Sequence, residues 1–178
     1  MMFAVRLIAA GLALAAAASA HAALQVGTPA PAFTTDAAVG GQSFKFDLKA
    51  ELKKGPVVLY FYPKAFTSGC TVEAHQFAEA SDKFKALGAT VIGISNDNID
   101  TLKKFSVEAC RNKFAVAADE NAKMIKAYDV ALVIKPDMAD RISFLIGQDG
   151  KIAAVHSAMD PNGHVDAMLK AVAALPKK

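Results

Sequence analysis

Val57-Val58-Leu59-Tyr60-Phe61-Tyr62-Pro63-Lys64-Ala65-Phe66-Thr67-Ser68-Gly69-Cys70 is the stretch that decides the fold of this chain. Its first six residues form an unbroken apolar run, the pattern of a strand buried on both faces. After Cys70 the period changes to that of a helix. Ala74, Phe77, Phe84 and Leu87 fall on one side, with Glu73, Glu79, Asp82, Lys83 and Lys85 mostly elsewhere, and Gly88 ends the run. The order is therefore strand, tight loop, helix, with Cys70 in the first helical turn. Backbone N–H groups free at a helix start favour negative charge. The thiolate is the reactive form of cysteine, so the segment reads as a holder for one reactive sulfur.

Working outward, Ala89–Ser95 predicts a second buried strand and Asn98–Lys113 a second amphipathic helix with Leu102, Phe105 and Ala109 inward. Ala115–Ala118 reads as a short strand and Asn121–Ala127 as a short helix. Residues 128–140, which contain Lys135-Pro136-Asp137, read as a connection. Arg141–Ile146 and Ile152–His156 pair across an Asp149-Gly150 turn, and Gly163–Ala174 is the last helix. Upstream, Gly40-Gly41 separates Phe33–Thr35 from Ser43–Phe46 as a hairpin, and Leu48–Lys54 is a short helix or turn. Strands alternating with helices predict an α/β fold: a central mixed sheet flanked by helices in the thioredoxin-like layout, with an N-terminal hairpin extension.

The first 22 residues read differently. Arg6 precedes the apolar stretch Leu7–Ala18, and Ala20-His21-Ala22 fits a small-residue cleavage site, the pattern of a secretory signal peptide. The stretch falls short of the roughly 20 apolar residues that span a bilayer. Cleavage after Ala22 leaves residues 23–178 as one exported domain, periplasmic in a bacterium and with no membrane segment of its own. The net charge is +3 and the lysines are scattered, which gives no footprint for nucleic acid. Cys70 and Cys110 are the only cysteines. No Cys-x-x-Cys pair and no zinc-spaced His/Cys cluster occurs, so neither a metal nor a cofactor is expected. In an oxidising compartment two cysteines also allow a structural Cys70–Cys110 bridge. His156 and His164 fit no constellation in the sequence.

Pro63, Thr67 and Cys70 fill the pattern Pro-x-x-x-Thr-x-x-Cys, which resembles the active-site signature of the peroxiredoxins. Gly69-Cys70-Thr71-Val72-Glu73-Ala74 is similar to the bacterioferritin-comigratory, or Q-type, branch. Gly93-Ile94-Ser95 and Asp140-Arg141-Ile142-Ser143-Phe144-Leu145-Ile146 extend the resemblance over about residues 24–175. The resemblance implies a thiol-dependent peroxidase that reduces hydrogen peroxide and organic hydroperoxides and serves antioxidant defence. In that role Cys70 is the peroxidatic nucleophile and becomes a sulfenic acid. Arg141 holds thiolate and peroxide with its fork. The Thr67 hydroxyl accepts from the peroxide while donating toward the sulfur, and Pro63 shields the sulfur from water. Glu73, one turn after Cys70, is either an orienting partner of the arginine or simply an acid favoured by the helix dipole.

The chain departs from the branch at two positions. His75 occupies the place, five residues after Cys70, where many members carry a resolving cysteine, and Ser68 stands where proline is common. Cys110 is then the candidate resolver. On a continuous helix it lies about 80° from Leu102, at the edge of the buried face and half accessible. The partners implied are a peroxide and a thiol reductant such as a thioredoxin-like protein, a glutaredoxin or a small thiol, acting on a monomer. Two other readings share the compartment: a thioredoxin-like thiol–disulfide oxidoreductase, against which the missing Cys-x-x-Cys weighs, and a non-catalytic domain stapled by a Cys70–Cys110 disulfide.

Overall fold

The computed structural model describes residues 23–176, so the signal-peptide reading of residues 1–22 lies outside the described residues. The elements run β1 Thr34–Val39, β2 Gln42–Asp47, α1 Leu48–Leu52, β3 Val57–Phe61, α2 Ser68–Ala86, β4 Thr90–Ser95, α3 Ile99–Glu108, β5 Ala115–Ala118, α4 Lys123–Ala127, β6 Ala131–Leu132, β7 Lys135–Ala139, β8 Ile142–Ile146, β9 Ile152–Ser157 and α5 His164–Ala173. Seven strands form one sheet in the order β2-β1-β5-β4-β3-β8-β9, while β6 and β7 make a separate two-stranded ribbon. β3, β4 and β5 are parallel; β8 and β9 add antiparallel strands on one side, and the β1–β2 hairpin adds them on the other.

The apolar run of β3 is explained by the two layers that cover it. Val58, Tyr60 and Tyr62 point into a core shared with Phe77 and Phe84 of α2, Leu102 and Phe105 of α3, and Met168 of α5. Val57, Leu59 and Phe61 point the other way, against Leu48 of α1, Ile125 of α4 and Tyr128. Side chains alternate across a strand, so both sets must be apolar when both faces are covered. Gly93 in β4 lets the Tyr60 ring lie across the sheet; a Cβ there would sit 2.7 Å from the ring. That ring stacks on Phe77 with centroids 4.4 Å apart.

The structure differs from the sequence expectation in three places. α3 stops at Glu108 instead of continuing to Lys113. The Cys110 N–H closes on the Phe105 carbonyl at 3.0 Å, one residue further back than helical spacing. Arg111 and Asn112 then take left-handed backbone angles, φ 50° and 59°, which a right-handed helix cannot continue through. Leu87 lies past the end of α2 and is exposed, not inward. Residues 131–139 contain the β6–β7 hairpin. Pro136 sits in it because a two-stranded ribbon leaves one edge of each strand without a ladder partner.

Candidate active site

The loop between β3 and α2 is tied down at several points. Tyr62 donates its N–H to the Ile94 carbonyl at 3.1 Å, and the half-buried Pro63 follows where the β3 ladder ends. Asp97, 4% exposed and just beyond β4, takes the Ala65 N–H at 2.7 Å, the Ser95 hydroxyl at 2.9 Å and the Lys64 ammonium at 2.7 Å. Phe66 has φ 66°, a conformation that a bulky residue adopts only when its surroundings impose it. Its ring meets Phe105 of α3 edge-on at 5.2 Å. Thr67 is the N-cap residue of α2, and its carbonyl receives the first helical bond from Thr71 N–H at 2.9 Å. Cys70 is the third residue of the helix, as the sequence predicts.

Arg141 reaches Cys70 through the sheet. β8 runs antiparallel to β3, with Ile142 opposite Phe61, so the residue before β8 arrives where the active loop leaves β3. Its Nη2 lies 3.5 Å from the Cys70 Sγ, and its Nη1 donates to the Glu73 carboxylate. Its Nε donates to the Met159 carbonyl at 3.0 Å. With three of its donors engaged and 4% of its surface exposed, the guanidinium is fixed in plane. Burial lowers the proton affinity of Arg141, but Glu73 and Cys70 outweigh that and hold it above the ordinary arginine value. Gly69 allows this approach, because a Cβ there would come within 3.1 Å of Nη2.

Glu73 is an orienting partner of Arg141, which decides between its two sequence readings. Burial pushes its carboxyl up to about 7, against the pull of the guanidinium. The Thr67 hydroxyl donates to the Lys64 carbonyl at 3.0 Å and not toward the sulfur as the resemblance implied, so its lone pairs are left to accept. His75 is half-buried on α2.

Cys110 is not where the sequence placed it. It lies in the turn after α3, not on the helix, and is 0% exposed instead of half accessible. Burial alone pushes its thiol well above the ordinary cysteine range. Both cysteines are free, so the fold is complete without a bridge.

Two site features were not legible in the sequence. One is Asp97, an unremarkable acid after a strand. The other is His164, which does belong to a constellation. It is fully buried at the start of α5, with Nδ1 2.8 Å from the Ser143 hydroxyl and 3.6 Å from the Glu73 carboxylate. A buried histidine is visible only once its neighbours are known, although the Arg141-x-Ser143 alternation along β8 could have hinted at a polar face.

The AhpC/TSA family profile matches residues 26–155. The chain is 34% identical to the peroxiredoxin Bcp of Escherichia coli strain K12 over 82% of this chain and 94% of that protein. It is 32% identical to the chloroplastic peroxiredoxin Q of Sedum lineare over 71% of this chain and 68% of that protein. Among solved structures, the Mycobacterium tuberculosis peroxidoxin BcpB superposes with a TM-score of 0.77 at 29% identity, covering 86% of this chain and 99% of that one. The thioredoxin-like sheet, the guanidinium on a cysteine at a helix start and these three likenesses agree: the chain belongs to the AhpC/TSA family, within its peroxiredoxins of the Bcp and Q kind.

Proposed function

We propose that Cys70 is the sulfur that attacks the peroxide in this thiol-dependent peroxidase. The observation that carries the assignment is the Arg141 Nη2 at 3.5 Å from the Cys70 Sγ. A guanidinium beside a sulfur in the first turn of a helix favours the thiolate, and its remaining donor capacity can hold a peroxide oxygen. The thiolate attacks one oxygen of the O–O bond, an S–O bond forms, and the O–O bond breaks. Cys70 becomes the sulfenic acid, and the leaving oxyanion takes a proton to become water or an alcohol. Arg141 stabilises the charge that builds on the leaving oxygen. Thr67 accepts from the incoming peroxide, and Pro63 limits water at the sulfur.

A second thiol must then condense with the sulfenic acid, releasing water and forming a disulfide. Cys110 fills this role in our reading. Both sulfurs are buried, so reduction of the resulting disulfide by an outside thiol goes with local opening of the start of α2 or of the turn after α3. A thioredoxin-like protein, a glutaredoxin or a small thiol reduces the product by exchange. We further propose an exported, periplasmic monomer on the strength of the Arg6, Leu7–Ala18 and Ala20-His21-Ala22 pattern.

One experiment tests the assignment. The reduced protein is given one equivalent of hydrogen peroxide, peroxide loss is followed, and the cysteines are mapped by mass spectrometry. We expect stoichiometric consumption with a Cys70–Cys110 link, and no consumption by Cys70→Ser. Unchanged consumption by Cys70→Ser overturns the catalytic assignment; consumption without the link overturns only the role of Cys110.

A further inference from the structure

Glu73 has two carboxylate oxygens in different situations. Oε2 receives Arg141 Nη1. Oε1 is buried and has no hydrogen-bond partner among the described residues. It lies 3.6 Å from Nδ1 of His164, and both side chains are 0% exposed. The imidazole tautomer follows from its other contacts. Nε2 is 2.9 Å from the Ala158 carbonyl oxygen, which can only accept, so Nε2 carries a hydrogen. In the neutral ring Nδ1 is then an acceptor, and it takes the Ser143 hydroxyl proton at 2.8 Å. Two buried acceptors, Glu73 Oε1 and His164 Nδ1, thus face each other. Glu73 Oε1 has no donor, while Nδ1 has the Ser143 hydroxyl; a proton on Oε1 satisfies that buried oxygen and competes with the hydroxyl for the Nδ1 lone pair.

We propose that His164 is a positioning residue for peroxide reduction. It supplies the acceptor that lets the buried Glu73–His164 pair take up one proton as the medium turns acid. That proton converts the Glu73–Arg141 ion pair into a contact between a cation and a neutral carboxylic acid and loosens the guanidinium from Cys70.

The surroundings agree on where the proton goes. Facing the pair are Cys70 from α2, Arg141 from the start of β8, Tyr60 from β3, His156 from β9 and Asp160 from the loop before α5. The His156 ring meets His164 edge-on at 4.5 Å. Burial first, and the charges of His156 and Arg141 after it, push His164 down to about 4; the Ala158 carbonyl and Asp160 oppose this. Glu73 stands at about 7. The carboxyl therefore gains the proton and offers it to Nδ1 in competition with the Ser143 hydroxyl. The Tyr60 hydroxyl stays neutral, because burial pushes it well above the ordinary tyrosine range. Above the Glu73 range the carboxylate anchors Arg141; below it the anchor is neutral.

The inference rests on Cys70 being the sulfur that attacks peroxide, and its test separates the two. The rate constants of Cys70 in the full chain with hydrogen peroxide and with iodoacetamide are measured from about pH 8 to about pH 5. Both reactions need the thiolate, but only the peroxide needs the Arg141 fork, so the ratio of the two cancels the thiolate fraction. In the wild type the ratio falls about tenfold toward acid. In Glu73→Gln it is flat, because that side chain cannot take up the proton. In His164→Phe the midpoint moves acidward by about one unit, because protonated Glu73 loses its acceptor and the carboxylate loses a facing lone pair. In Ser143→Ala it moves the other way by a similar amount, because Nδ1 is then free for the Glu73 proton. A merely structural role would not shift the midpoint in opposite directions. A flat wild-type ratio, or one midpoint common to the wild type and every folded histidine or serine variant, overturns the inference; should His164→Phe fail to fold, Ser143→Ala decides. A wild type that consumes no peroxide overturns the functional assignment instead, a result that no shift of midpoint can mimic.

Discussion

Cys70 and Cys110 are both buried free thiols in the same apolar cluster, yet only Cys70 has a guanidinium beside its sulfur. Cys70 is 1% exposed, but it stands in the first turn of α2 with a guanidinium nitrogen 3.5 Å from its sulfur. Cys110 is 0% exposed in the turn after α3, and burial is the one cause that acts on its thiol. Burial by itself therefore does not decide reactivity. A buried sulfur without a positive partner pays the full cost of desolvating its anion and stays a thiol. The sulfur of Cys70 has a guanidinium nitrogen as its neighbour where water is excluded. The fold sets Arg141 and Glu73 beside one cysteine and gives the other no cation, only a buried position near Tyr60 and Tyr62.

The largest effect expected from this contrast is a difference in alkylation. In the native, reduced protein Cys70 should react with iodoacetamide at least about 1000-fold faster than Cys110, and the two should come within about tenfold of each other in denaturant. Comparable native rates would show that Cys110 is not the inert thiol its surroundings describe. A smaller effect is expected from Arg141→Lys, which keeps a cation for Glu73 but replaces the fork with a point charge. The rate constant of Cys70 with hydrogen peroxide should drop about 100-fold, measured by stopped flow. A loss below about threefold would mean that the charge suffices and the fork geometry does not matter. The smallest effect is expected from Asp97→Asn. It leaves Ala65 N–H a partner but weakens the tie to Lys64, so the peroxide rate should fall about tenfold while the alkylation contrast survives. If the contrast disappears as well, Asp97 supports the environment of the sulfur itself and not only the approach of the peroxide.

Much of the chain order was legible because its signals are local. Gly40 and Gly41 take φ 56° and 78°, as a two-residue hairpin turn requires, and the β1–β2 pairing follows from them. Glu73 was visible as a candidate because it lies one helical turn from Cys70. The failures are equally particular. Extending the apolar pattern of α3 through Ala109 put Cys110 on a helix edge, but Arg111 and Asn112 turn the chain left-handed, and Asn112, a residue that tolerates that region, is the one local hint of it. The β6–β7 hairpin was hidden by Pro136 in β7. His164 seemed isolated because Ser143 and Glu73, which give it meaning, are 21 residues away and on another helix respectively.

The sequence by itself determined the strand–loop–helix unit around Cys70, its apolar faces and the family signature, because hydrogen bonding and side-chain periodicity act over a few residues. The family signature named Arg141, but only the tertiary structure decided how distant side chains reach the sulfur and added His164 behind Glu73. The antiparallel register of β3 and β8 brings Arg141 to the mouth of the active loop, and the packing of α5 brings His164 against Glu73. The same packing withdrew Cys110 from solvent. Whether a thiol is armed or inert depends on the charges and water around it, and strand order and helix packing set both.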